Sequence, residues 1–246
     1  MNLKQYLETI KDFLKEYLNK SHTNGYVLGL SGGVDSSLVA ALCKESVGKE
    51  KLTWIMMPID SLPKDLEDAL ELAKALDLKY EIIDASEAFH KLVDIFEAQG
   101  IKLNQGSLTN LKVRIRMSIL YAYGQTNNLL VVGTDNKPER YVGYFTKWGD
   151  GAADLLPIVH LLKREVVEAS KILGIPTHLA ERVPSAGLFE GQTDETEMGV
   201  SYQDLDDYLI GKEINADAKA KIERMHRISA HKREEIPSPS PFERDE

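Results

Sequence analysis

The chain has 246 residues, 43% of them apolar, and the sequence predicts a single domain over 1–246 because no low-complexity linker divides it. Its 30 basic and 39 acidic residues leave a formal net charge of −9, which argues against a broad polyanion-binding surface and so against nucleic acid as a partner. Cys43 is the lone cysteine, which excludes a disulfide framework or thiolate cluster; with no apolar run fit for a bilayer span or signal peptide, no membrane association and a cytoplasmic location are expected.

Leu3, Leu7, Ile10, Leu14 and Tyr17 recur at steps of three and four, so the chain opens on an amphipathic helix expected to pack on the domain or on a second subunit. An alternation follows: strand 26–30, helix 36–47, strand 52–57, helix 66–76, strand 80–83, helix 87–98. A longer helix, 108–123, leads into the apolar strand 129–133, which suits a sheet centre covered on both faces. Residues 143–153 have no clean period and read as a long loop. Helix 164–173 stops at Gly174, with Pro176 two residues on. The irregular stretch 184–195 is a candidate lid, and helices at 202–210 and 216–229 precede a tail whose Pro237, Pro239 and Pro241 cannot continue a helix. The predicted class is α/β: a doubly wound, mostly parallel sheet with helices on both faces and extra C-terminal helices.

Residues 31–37 read Ser-Gly-Gly-Val-Asp-Ser-Ser, between a strand and a helix. Glycines let a ligand approach the main chain, and the following helix directs its free N–H groups at an anion, so the loop reads as a phosphate cradle. It is not a Walker A loop, since no Gly-Lys-Ser/Thr closes it. Such residues also make ordinary turns, but the strand–loop–helix setting favours the cradle. Ser31 and Thr134 both fall beyond the carboxyl ends of strands, where doubly wound sheets bind ligands.

The loop resembles the PP-loop of the N-type ATP pyrophosphatases. Together with Thr134 and the stretch 143–157, Gly-Tyr-Phe-Thr-Lys-Trp-Gly-Asp-Gly-Ala-Ala-Asp-Leu-Leu-Pro, it makes the chain similar to the ammonia-dependent NAD synthetases. The likeness runs from Leu28 through the Thr-Asp-Glu-Thr-Glu block at 193–197 to His231-Lys232-Arg233. The resemblance implies an adenine nucleotide alpha hydrolase-like fold and a homodimer. It also implies a reaction in which ATP adenylates the carboxylate of deamido-NAD and ammonia displaces AMP to give NAD, with Mg²⁺ as cofactor. It places Gly29, Leu30, Ser31, Gly32, Gly33, Val34, Asp35, Ser36, Thr134, Lys163 and Ser185 on ATP, and Asp35 and Glu139 on the metal. Arg114, Lys147, Asp154, His231 and Lys232 fall on deamido-NAD, and Ser31, Asp35 and Lys163 are the catalytic candidates, Ser31 as a hydrogen-bond donor and not a nucleophile.

Plainer readings stand beside several of these. Glu139 in Lys137-Pro-Glu-Arg also reads as a solvated loop acid, and His231-Lys232 as a basic helix terminus favoured by the dipole. Arg116 lies two residues from Arg114, and on a helix the two point to different faces. Lys163 opens a helix, where a cation opposes the dipole unless an anion partners it. Trp148, Tyr144 and Phe145 are open to packing or stacking roles. A tRNA-modifying or sulfur-transferring relative is disfavoured by the lone Cys43 and the acidic charge. A non-catalytic nucleotide-binding module would not need Lys147 and Asp154. Glutamine-dependent synthesis would need an attached amidase domain, for which the length leaves no room, so free ammonia is the expected donor.

Overall fold

The computed structural model describes residues 1–61, 63–182, 193–242 and 244. Apolar periodicity gives α1 (Leu3–Ser21), β1 (Gly25–Gly29), α2 (Val34–Val47), β2 (Leu52–Met56), α3 (Pro63–Ala75), β3 (Tyr80–Ile82), α4 (Ser86–Ala98), α5 (Gln105–Asn127) and β4 (Leu129–Val131). Beyond the sheet lie α6 (Lys137–Val142), α7 (Lys163–Ile172), α8 (Thr177–Ala180), α9 (Asp194–Met198), α10 (Tyr202–Leu209) and α11 (Ala216–Ile228). Among the described residues no helix is long and apolar enough to cross a membrane.

The described strands form one parallel sheet in the order β3-β2-β1-β4. The chain winds outward from β1 through β2 to β3, then returns through α4 and α5 to place β4 on the other side of β1. That reversal opens a crevice beyond the carboxyl ends of β1 and β4. One face of the sheet is covered by α1, α2 and α7, with Leu7, Leu14, Leu38, Leu42, Trp54 and Val166 in its core. On the other face α5 packs Ile119, Leu120 and Tyr123 against Val27, Ile55 and Val131. The helices therefore flank the sheet on both sides, as the alternating pattern predicts.

Three expectations are corrected. β4 is an edge of the hydrogen-bonded ladder and not its centre; α5 covers it, and beyond it a single parallel bridge joins Val132 to Leu155. Helix α5 runs from Gln105, where Asn104 caps it, to Asn127, longer at both ends than its apolar period suggests. Glu139 is not a loop acid: it lies in α6, with its backbone N–H donating to Asn136 Oδ1 at 3.0 Å and its own Oε2 3.4 Å from the Asn136 N–H. A six-residue helix is too short to show a period, and the legible signal was the Asn-x-x-Glu capping box with Pro138 in the first turn. The candidate lid falls largely on 183–192, outside the described residues, but its end forms α9 behind the Thr193 cap.

Candidate active site

β1 ends at Gly29 and α2 begins at Val34, so the intervening loop turns within a few residues. Gly32 makes this possible at φ +74°, a left-handed conformation that strains any side chain. Ser31 Oγ accepts from the Gly33 N–H at 3.3 Å and lies 3.1 Å from Ser36 Oγ. The hydroxyls of Ser36 and Ser37 donate back to the Gly33 carbonyl at 3.0 and 2.7 Å. Gly33 caps α2 without a side-chain acceptor, so the first-turn N–H groups carry no side-chain partner. They face a cleft of about 510 Å³ whose lining includes Ser31, Asp35, Thr134, Glu139, Lys163 and Lys232.

At the end of the loop, Asp35 joins a charge cluster drawn from three helices. Lys163 Nζ donates to Asp35 Oδ2 at 2.5 Å and to Glu139 Oε1 at 3.1 Å. Asn136 Nδ2 donates to the other oxygen of Asp35 at 2.9 Å. Burial alone would lower the pKa of Lys163, but the Asp35 and Glu139 carboxylates outweigh it and hold the ammonium above the usual lysine value. Burial pushes the Glu139 carboxyl up to about 7 against the pull of Lys163, with repulsion from Asp35 adding to the rise. The cation at the start of α7, unfavourable to the dipole, thus has two anionic partners.

The residues that the sequence assigns to the second substrate divide into two groups. Lys232 enters the cleft, donating to the carbonyls of Gly143 and Phe145 at 2.7 and 2.6 Å, and burial lowers its pKa. Arg114 is exposed and donates to the Lys147 carbonyl at 3.3 Å, while Lys147 Nζ donates to the His231 carbonyl at 2.5 Å. Asp154 is also exposed, accepting from the Val131 N–H at 2.7 Å and from Tyr121 Oη at 3.4 Å. Neither these two nor Lys147 and His231 contribute to the cleft lining in the single chain. Ser185 lies outside the described residues.

Sequence reading missed several cleft residues. Arg116, and not Arg114, lines the cleft, donating to the Met57 carbonyl at 2.9 Å. Asn136 had a signal in its capping box but none for its reach to Asp35. Within 143–153, Thr146 is pinned by Asp150 Oδ1 to its N–H at 2.6 Å and by Asn110 Oδ1 to its hydroxyl at 2.7 Å, so this loop is tied to α5. Cys43 is buried in the core, and burial pushes its thiol pKa up, which removes it as a nucleophile.

A parallel sheet that offers free helix N–H groups beside a buried carboxylate and lysine cluster, at its topological switch point, defines a nucleotide-dependent α/β enzyme of the PP-loop type. The chain belongs to the NAD synthase family, whose model matches residues 6–236. It is 41% identical over 244 residues to the NH(3)-dependent NAD(+) synthetase of Mesoplasma florum, covering 99% of this chain and 100% of that one. Its fold superposes on a structure of NMN synthetase from Francisella tularensis with a TM-score of 0.92 at 39% identity, covering 98% and 99% of the two chains. The NH3-dependent NAD synthetase of Campylobacter jejuni, whose structure is a complex with nitrate, matches with a TM-score of 0.79 at 33% identity over 99% of this chain and 100% of that one.

Proposed function

We infer that this chain is an ammonia-dependent NAD synthetase: a ligase that forms the carboxamide of NAD from deamido-NAD and ammonia at the expense of ATP. The observation that carries this reading is that Glu139 and Lys163 meet Asp35 of the phosphate loop, the three lining one cleft with the loop. A substrate carboxylate oxygen attacks the α phosphorus and pyrophosphate leaves. Ammonia then attacks the acyl carbon, AMP departs, and one proton passes to solvent. No protein nucleophile takes part, so the residues position groups and neutralise charge.

The loop N–H groups, with Ser31, Ser36 and Thr134, receive the β and γ phosphates, and Lys163 sits where charge builds on the leaving pyrophosphate. Gly29, Leu30, Gly32, Gly33 and Val34 supply the close backbone wall; Ser185, outside the described residues, is assigned to ATP by the family likeness alone. Asp35 and Glu139 fit Mg²⁺, because both present hard oxygens that converge on one cation, the Lys163 ammonium. Bound there with the phosphates, the ion would supply further charge neutralisation to the leaving group. Arg114, Lys147, Asp154, His231 and Lys232 then take deamido-NAD.

The exposure of three of those five residues, Arg114, Asp154 and His231, supports a homodimer in which a second subunit completes the dinucleotide site. So does the apolar surface of α4 and the residues after it: Leu92, Ile95, Phe96 and Ile101 are exposed, and α5 fully buries only Gly124 of its 23 residues. The whole chain, 1–246, acts as one catalytic domain, supported by the near-complete family match, and an ATP-consuming reaction with a buried, reduced thiol suits the cytoplasm.

A second reading is amidation of the corresponding mononucleotide acid, favoured by the near-complete superposition on the Francisella NMN synthetase. One assay tests both. The protein is incubated with ATP, Mg²⁺ and ammonium plus either acid, and AMP and the amide are measured. NAD formed with the higher kcat/KM supports the dinucleotide; the reverse selects the mononucleotide, and no AMP with either acid overturns the enzyme.

A further inference from the structure

Helix α10 carries two side chains, one turn apart, that both act on Lys163. Asp206 is buried, and its carboxylate oxygens accept from the backbone N–H groups of Lys163 and Arg164, each at 3.0 Å. It therefore caps α7 from a distance and neutralises the dipole end at which Lys163 stands. Tyr202, four residues earlier on the same face, lays its ring 4.6 Å from Lys163 Nζ. Its hydroxyl lies 2.8 Å from Glu139 Oε1 and 2.9 Å from Asp194 Oδ2. The Tyr202 side chain is thus the one group in the cluster that touches the cation through its ring and a site carboxylate through its hydroxyl.

Asp194 extends the chain of contacts. It opens α9, accepts from Tyr144 Oη at 3.2 Å, and Tyr144 Oη also reaches Glu197 Oε2 at 2.8 Å. Glu195 of α9 accepts from the Tyr202 N–H at 2.7 Å, so α9 and α10 are tied twice around this tyrosine. A hydroxyl has one proton, and here two carboxylates on different helices compete for it.

We propose that Tyr202 is a positioning residue whose hydroxyl fixes the Glu139 carboxylate for its cation and links that carboxylate to α9 through Asp194. The proposal rests on the reading of Asp35 and Glu139 as the metal carboxylates. Partners that orient a metal-binding carboxylate commonly contribute tenfold or more to metal affinity without touching the ion.

The test is Tyr202→Phe in the full chain, which keeps the ring against Lys163 and removes only the hydroxyl. Tyr208→Phe, on the same helix but against Tyr141, is the control for loss of a tyrosine hydroxyl from α10. Mn²⁺ is titrated by electron paramagnetic resonance into each protein with α,β-methylene ATP, alongside thermal melting and the KM for deamido-NAD. The expected result is Mn²⁺ affinity weakened about tenfold in Tyr202→Phe, unchanged in Tyr208→Phe, with deamido-NAD KM held. Equal Mn²⁺ affinity in Tyr202→Phe and wild type, or an equal loss in Tyr208→Phe, overturns the positioning role. Failure of the wild type to bind Mn²⁺ with the analogue overturns the metal reading itself.

Discussion

Asp35 and Glu139 share one ammonium, with side-chain exposures of 17% and 13%, so the cluster balances only while Lys163 is present. Lys163→Met leaves two carboxylates facing each other in a poorly hydrated site. We expect a stability loss of about 3 kcal/mol by denaturant unfolding, since breaking a buried pair strands its charge. A second substitution, Asp35→Asn, then recovers part of the loss, and simple additivity of the two effects would show that they do not interact. Lys147 behaves differently, because its ammonium is bonded to a main-chain carbonyl at the flank of the cleft. Lys147→Ala is expected to weaken deamido-NAD more than ATP, and equal losses in two separate binding titrations would refute its assignment. At this scale the sequence showed residue types and order. It did not show that Lys163 would contact Asp35, 128 positions away.

Elements divide by length. Helix α1 was legible because apolar residues repeat over many turns and bury one face, whereas α2, buried on nearly every side from Ser36 to Cys43, was legible from its place after β1 in the alternation. Leu14 is fully buried between them, and Leu14→Ala is expected to cost about 2–5 kcal/mol in unfolding while leaving both substrate KM values within twofold. A KM change would mean that α1 reaches the site. The short helices α6, α8 and α9 escaped because four to six residues carry no period and depend on caps and tertiary contacts. Yet α6 and α9 hold Glu139 and Asp194, which connect through Tyr202. Local irregularity marked only the start of α9, at the end of 184–195, and α6 drew notice through Glu139 alone.

For the whole molecule, the exposed apolar residues of α4 predict association. Light scattering is expected to give twice the chain mass for the wild type. Ile95→Glu, a substitution at a residue 60% exposed in the single chain, should shift it toward the monomer with a matching loss of deamido-NAD affinity. A monomeric wild type, or a monomeric variant of full affinity, removes the second subunit from the site.

The sequence by itself determined the α/β alternation, the loop 31–37 and its place between β1 and α2, because these depend on periods and turn chemistry that adjacent residues carry. It also put Asp35, Glu139 and Lys163 forward as candidate site residues through the family likeness. Only the tertiary structure decided that β4 closes an edge, that Arg116 and not Arg114 enters the cleft, and that α10 holds Lys163 by both backbone and side chain. Strand order, helix rotation and contacts across many residues are set by packing of the whole chain, and no local pattern encodes them.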